Sequence, residues 1–595
     1  MTKRIFTFDA DLDALTRRGF IAGLGGSAAL GLLARHAHAA GPARAGVGAN
    51  ELRGSEIELT VGAASVNVTG HDRLATVVNG SLPAPLLRLR EGDIATIRVR
   101  NELAETTSIH WHGLVLPANM DGVPGLSFHG IAPGETFTYR FPLRQSGTYW
   151  YHAHSGFQEQ TGLYGAIVIE PREPAPFSYD REHVVLLSDW TDRDPAALYR
   201  LLKRHSDYFN YQKPTLGDFV RDARRDGLAA TRAERSEWAR MRMQPSDLAD
   251  VGGTTYTYLT NGHSPGANWT GLFRPGERVL LRLINGSSMS TFDVRIPGLA
   301  LTVVAADGQY VHPMTVDELR IAAAETFDVL VTPTGAEAFT LFAQSLDRTG
   351  YARGTLATRA GLDAPVPTLD RIAYLGMADM GHGDAHGEHT AAAPAQAAPT
   401  DHTGHAAAGT AAHAEHAPSA APPLAHPASE RRNPRIDMQA AAPEPRLADP
   451  GVGLRDNGRR VLTYADLRSL FADPDGREPG RTLELHLTGH MERYLWSFDG
   501  VPFADAAPLA LRYGERVRFT LVNDTMMAHP IHLHGMWSDL EDESGAFLVR
   551  KHTVNIPPGT RRSYRVTADA LGRWAYHCHL LYHMAGMFRE VRVDE

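Results

Sequence analysis

The chain has 595 residues, with 29 histidines, one cysteine and a formal net charge of -9. A single cysteine excludes intrachain disulfides and cysteine-rich zinc folds, and the acidic balance argues against a large nucleic-acid footprint, so no nucleic-acid partner is expected. At about 150 residues per domain the length allows three to four domains.

Residues 1–39 read as a leader. Arg17 and Arg18 precede a glycine-rich apolar run that ends near Leu33, and Ala37-His38-Ala39 resembles a signal-peptidase site. This looks like a twin-arginine export signal; the alternative is a basic helix start in a cytoplasmic protein. The run is too short to anchor a membrane, and no later stretch reaches about 18 apolar residues. A soluble exported protein with no integral membrane segment is expected, located in the periplasm.

From about Ser55 the pattern is strand-like. Glu56–Val61 and Ala95–Arg100 alternate between apolar and polar residues, and Asn79-Gly80, Glu91-Gly92-Asp93 and Pro133-Gly134-Glu135 mark turns. Residues 51–174 read as an antiparallel sandwich. A second unit spans 178–376. Its strand rhythm breaks over about 194–248, where Arg, Ala, Leu and Asp predict a helical insertion with a solvated charged face. Residues 377–448 lose the apolar rhythm and carry His382, His386, His389, His402, His405, His413, His416 and His426. Such a composition does not easily offset its ordering entropy, so a flexible linker is expected. Its imidazoles suit an additional copper load; the plainer alternative is a low-complexity spacer. A third unit spans 455–595. Segments 91–101, 275–285 and 513–523 repeat one plan, a glycine-acidic turn, an alternating strand and a closing Asn, which points to three related β domains.

Four histidine clusters stand out: His110-Trp111-His112, His152-Ala153-His154, His529-Pro530-Ile531-His532-Leu533-His534 and His577-Cys578-His579 with His583. On a strand, residues i and i+2 share a face, so each His-x-His pair can aim two imidazoles into one cavity. One pair alone is weak evidence; four clusters are not. A thiolate, two imidazoles and a thioether compose a blue-copper electron-transfer site, with Cys578, His529, His583 and Met587 as candidates. His577 and His579 leave the strand on the face opposite Cys578 and can ligate a second metal group.

These motifs, with Gly572–His583 and the stretches 449–457, 461–467, 487–492 and 523–527, resemble the multicopper oxidases, and among them the periplasmic copper-resistance protein A family. The resemblance implies an all-β fold of three consecutive cupredoxin-like Greek-key β-sandwich domains, with the helical insertion in the second. It implies four copper ions, one type 1, one type 2 and two type 3. His110 and His532 would hold type 2 copper. His112, His152 and His579 would hold one type 3 copper, and His154, His534 and His577 the other. The second domain would act mainly as a spacer. One departure is visible: the family places the axial ligand five residues after the second type 1 histidine, whereas Met587 lies four after His583 and the fifth position is Phe588. Asp121, in Met120-Asp121-Gly122, matches an acidic residue near the cluster and is expected to manage protons, though it could equally be a turn residue.

The expected reaction transfers single electrons from a reducing substrate through Cys578, His577 and His579, so that dioxygen is reduced to water. Cu(I) is the expected donor, in copper tolerance, with other periplasmic copper-handling proteins as partners. The alternatives are a laccase-like phenol oxidase, separable by oxygen uptake with Cu(I) against a phenol, and a copper-sequestering protein, which would show no uptake. Met491, Met526, Met527, Met536 and Met584 could supply a soft Cu(I) path or simply fill core gaps.

Overall fold

The computed structural model describes residues 45–48, 50–382 and 426–595. The leader, 1–39, and His386, His389, His402, His405, His413 and His416 of the expected linker lie outside the described residues.

The alternating segments form strands that assemble into six sheets, alternately of six and five strands, which pair as three successive sandwiches. The second and third sandwiches share one strand order throughout. In each of the three, the repeated segment is a strand: Ile94–Asn101, Val279–Asn285 and Arg516–Asn523. Each lies parallel to the opening long strand of its domain, Glu56–Asn67, Arg181–Trp190 or Arg481–His490. The first sandwich is therefore mixed rather than antiparallel: the chain crosses between sheets before it returns beside its first strand, and strand alternation carries no information on neighbour direction.

The closing Asn explains why the repeat recurs. Asn101, Asn285 and Asn523 are fully buried. Each donates from its side-chain amide to two loop carbonyls: Glu105 and Ile131, Ser290 and Ile321, Met527 and Ile556. Each also accepts the amide two residues on. One side chain thus satisfies a turn and the loop opposite, which an apolar residue could not do.

The helical insertion contains α1 (Pro195–Leu202), α2 (Leu216–Asp226) and α3 (Leu228–Met241). Asp194 caps α1, and Thr215 with Asp218 forms a capping box on α2. The α2 helix buries no residue, which fits a solvated face, but the insertion also reaches the third domain. Lys203 donates to the Tyr494 carbonyl at 2.6 Å, and Arg242 pairs with Glu492 at 2.7 Å.

Apolar packing is continuous through all three domains. An ionic clamp joins the second and third. Lys551, fully buried, lies 3.0 Å from Asp307 and 3.1 Å from Glu325. Burial opposes its charge, yet Asp307 and Glu325 outweigh that and hold its pKa above the ordinary lysine value. Asp307 also accepts the amides of His552 and Thr553, so the clamp fixes a strand that borders the histidine clusters. The flanks of the His-rich stretch are packed too: Met380, Met438, Ala440 and Leu447 are buried.

Removing the lysine would leave two buried carboxylates facing each other. Lys551→Met should therefore lower unfolding free energy by about 3–5 kcal/mol, read by guanidinium unfolding. A loss below about 1 kcal/mol, the scale of an exposed pair, would show that the clamp carries little.

Candidate metal centre

The four clusters converge at the contact of the first and third domains. Strand His110–His112 pairs antiparallel with Gly147–His152, which sets His110 opposite His152. In the third domain His529–Leu533 pairs with Gly572–Cys578, which sets His532 opposite His577. Alternation sends Trp111 into the apolar core while its two histidine neighbours face the partner domain. Two glycines hold the approach. A Cβ at Gly122 would lie 1.8 Å from the Ile109 carbonyl oxygen, and one at Gly535 would lie 2.3 Å from Trp574; both residues have positive φ.

Eight imidazoles meet there: His110, His112, His152, His154, His532, His534, His577 and His579, all buried. Ligand atoms of His112, His152 and His579 lie within 4.8 Å of one another, as do those of His110, His112 and His532, and those of His110, His154 and His534. His577 joins through an Nε2–Nε2 approach of 3.0 Å to His534. Burial, and then neighbouring imidazoles, push His112, His152, His154, His532, His534 and His579 well below the ordinary histidine pKa, and burial takes His577 to about 4. Neutral rings are what metal ligation requires.

Most rings are held by one nitrogen and leave the other for the cavity. His110 Nδ1 donates to the Asp121 carbonyl at 2.8 Å, His532 Nδ1 to the His552 carbonyl at 2.6 Å, and His577 Nδ1 to the Cys578 carbonyl at 2.9 Å. His534 Nδ1 donates to Asp121 Oδ2 at 2.9 Å; His152 Nδ1 is 3.2 Å from the Ala153 carbonyl and 2.6 Å from Glu159 Oε2. His110 Nε2, His112 Nδ1, both nitrogens of His154, His532 Nε2 and His579 Nδ1 are buried without a hydrogen-bond partner. Orphaned lone pairs cost free energy unless something else accepts them. A set of soft-to-borderline nitrogen donors of this kind fits copper.

A second group lies on the other face of the Cys578 strand. Cys578 Sγ is 3.5 Å from His529 Nδ1 and 3.8 Å from His583 Nδ1, and the two Nδ1 atoms are 3.2 Å apart. Burial pushes the Cys578 thiol well up, so a thiolate there calls for a bound cation. Met587 is fully buried on the same loop; its amide donates to the His583 carbonyl and its carbonyl accepts from the Cys578 amide. Met491, Met526, Met527, Met536 and Met584 are all buried in the apolar core, as gap-fillers would be.

The structure adds supporting residues that the sequence did not single out. His529 Nε2 is 2.7 Å from Thr525 Oγ1. His583 Nε2 donates to Asp250 Oδ2 at 2.7 Å, and Asp250 also accepts the Tyr494 hydroxyl at 2.9 Å. Trp496 stacks on the His583 ring at 4.0 Å. Asp250 belongs to the second domain, which is therefore more than a spacer. His112 Nε2 is 3.1 Å from Thr553 Oγ1 and 3.2 Å from His552 Nδ1. Glu159 had only a position seven residues after His152 to mark it, too little to distinguish it from a surface acid.

Three multicopper oxidase family models match residues 60–174, 181–361 and 477–595. Copper resistance protein A of Escherichia coli is 61% identical over 92% of this chain and 94% of its own. Copper resistance protein A of Pseudomonas syringae pv. tomato is 59% identical over 98% and 99%. Among solved structures, Fet3p, a multicopper oxidase that functions in iron import, matches with a TM-score of 0.62 at 19% identity, covering 91% of each chain. The laccase of Botrytis aclada matches at 0.60 and 20%, covering 92% of this chain and 88% of its own. At that identity the solved structures speak to the fold.

Glu159 Oε2 lies 2.6 Å from Nδ1 of the His152 ring and is placed to orient it. Glu159→Ala should speed loss of metal to a chelator and lower affinity about 10–100-fold, whereas Glu159→Gln, which still accepts, should lose far less. Equal retention in both variants would remove the orienting role.

Proposed function

The chain belongs to the multicopper oxidase family, and from that premise we propose that it oxidises Cu(I) with dioxygen as acceptor, as an exported copper-tolerance enzyme of the periplasm. When bound, one type 1, one type 2 and two type 3 copper ions would supply single-electron uptake and the four-electron reduction of dioxygen to water. His529, Cys578, His583 and Met587 would hold the type 1 ion. His110 and His532 would hold the type 2 ion. His112, His152 and His579 would hold one type 3 ion, and His154, His534 and His577 the other.

One observation carries this reading: Cys578 faces His529 and His583, while the residues on either side of it, His577 and His579, belong to the eight-ring cluster. The path from one group to the other is the Cys578 side chain, one peptide unit and one histidine side chain. Asp121 holds the Nδ1 proton of His534 and lies 3.3 Å from His110 Nδ1; it would keep both rings in the tautomer that faces the cavity and stand as a proton station beside the cluster.

The donor is read from the surroundings of His583. Its ring is fully buried beneath Trp496, Tyr494 and Asp250. A phenol would need an open edge of this ring. A small cation would instead meet Asp250, whose carboxylate holds His583 Nε2. The names of the most similar relatives support a role in copper tolerance, and the twin-arginine-like leader supports export.

Oxygen uptake by the copper-loaded protein should be fast with Cu(I) and at least about tenfold slower with dimethoxyphenol, a difference of ~1.4 kcal/mol in activation free energy. Faster uptake with the phenol would favour a laccase reading, and no uptake with either would favour storage. Asp250→Asn, whose amide oxygen can still accept from His583 Nε2, should slow Cu(I) oxidation about tenfold or more and spare the phenol reaction; equal losses would sink the cation role. Cys578→Ser should abolish the blue charge-transfer band and turnover but leave cluster copper in place, and full turnover would overturn the electron path.

A further inference from the structure

A second histidine–carboxylate cluster lies apart from the two groups described above. It is built from His426, Glu430, His486 and Asp524, whose ligand atoms all lie within 4.8 Å of one another. His486 is on strand Arg481–His490, and Asp524 directly follows the neighbouring strand Arg516–Asn523. The two strands run parallel, with Leu487 opposite Asn523, which brings both side chains to one end of the sheet. His426 closes the His-rich stretch, and Glu430 follows it four residues later in a short helical turn, Ala428–Glu430.

The geometry is tight. His486 Nδ1 is 2.6 Å from Asp524 Oδ2 and 3.6 Å from Glu430 Oε1. His426 Nδ1 is 3.1 Å from Glu430 Oε2 and 3.3 Å from Asp524 Oδ2. Glu430, His486 and Asp524 are buried, and the His426 side chain is 18% exposed, so the site has one edge open to solvent. The remaining carboxylate oxygens are oriented from outside: Gln439 donates to Glu430 Oε2 and the Ala440 amide to Asp524 Oδ1, each at 2.7 Å. Glu430 Oε1 is buried, faces the cluster and makes no hydrogen bond. Glu430 Oε1, buried without a hydrogen bond, carries a desolvation cost that a divalent cation among these ligands would cancel.

We propose that these four residues form a further divalent-cation site, and that Cu(II) is the ion it prefers. The donor set decides the class. Two nitrogens and two carboxylate oxygens suit a borderline ion; calcium and magnesium favour all-oxygen shells, and Cu(I) favours sulfur, which this cluster lacks. Among borderline ions Cu(II) binds such a set more tightly than Zn(II). The site does not depend on the oxidase reading. Its occupation would pin His426, the last histidine of the His-rich stretch, onto the third domain. Asp524 is also next to Thr525, which contacts His529, so a variant at Asp524 would confuse two sites; His426 and Glu430 are the cleaner probes.

The test uses the full chain with its oxidase coppers loaded, exposed separately to Cu(II) and Zn(II) under a weak chelator. The parent should retain one more tightly held ion per chain than His426→Gln or Glu430→Gln, with the blue band and oxygen uptake intact in both variants. The other seven histidines of the His-rich stretch are the same in all three proteins, so any copper they hold cancels. Cu(II) should displace Zn(II) from the site, and the reverse order would overturn the preference. Equal stoichiometry in all three proteins would overturn the site. Anomalous diffraction from Cu(II)- and Zn(II)-soaked crystals of the parent tests it without any variant: a peak among the four side chains is expected, and no peak with either metal would refute it.

Discussion

Eight imidazoles can share one buried space only if the first and third domains meet face to face, and the rest of the molecule answers to that requirement. Each domain supplies two His-x-His pairs, so neither holds a complete set. A charged imidazole here would be both desolvated and repelled by its neighbours, which holds rings such as His154 and His534 well below the ordinary histidine pKa. That leaves lone pairs unpaired in the cavity. The cost is tolerable in a chain whose apolar packing runs without a break through three sandwiches, and metal would remove it. The middle domain completes the closure: Asp307 reaches from it to Lys551 and to the backbone of His552 and Thr553, beside His112.

The same economy governs the Cys578 strand. A period of two lets adjacent residues serve two sites without any further scaffold. The outer contacts then fix each ring. Asp121, Glu159, Thr525 and Asp250 each take one imidazole nitrogen, and each comes from a different part of the chain. Tautomer and tilt are therefore set by tertiary structure, while ligand identity is set by local sequence.

That division explains what the sequence reveals. The ligand clusters are legible because strand alternation is a local rule and His-x-His obeys it. The three-domain plan is legible because each domain needs the same buried Asn at the end of the same strand. Asp250 is not legible: 333 positions separate it from His583, and it follows a helical segment whose composition reads as solvated surface. Sheet direction was hidden for a similar reason, since alternation is the same in parallel and antiparallel neighbours. The His-rich stretch marks a third limit. Its composition suggests no order as far as 448, yet Met438, Ala440 and Leu447 are buried, and Glu430 and His426 meet partners on the third domain. Sparse apolar anchors joined to ion pairs can repay ordering entropy without producing any periodic pattern.

The helical insertion gives the middle domain its functional weight. It touches the third domain through Lys203 and Arg242, and the segment behind it delivers Asp250 to His583. Trp496 and Tyr494 of the third domain cover the ring, and the segment behind the insertion places a carboxylate on its Nε2. A carboxylate there draws cations and raises the electron density of the ring it holds. A lid of apolar residues would exclude phenols equally well but would repel a cation by desolvation. On the proposed reading, the carboxylate in the cover, rather than the cover alone, favours a small positively charged reductant.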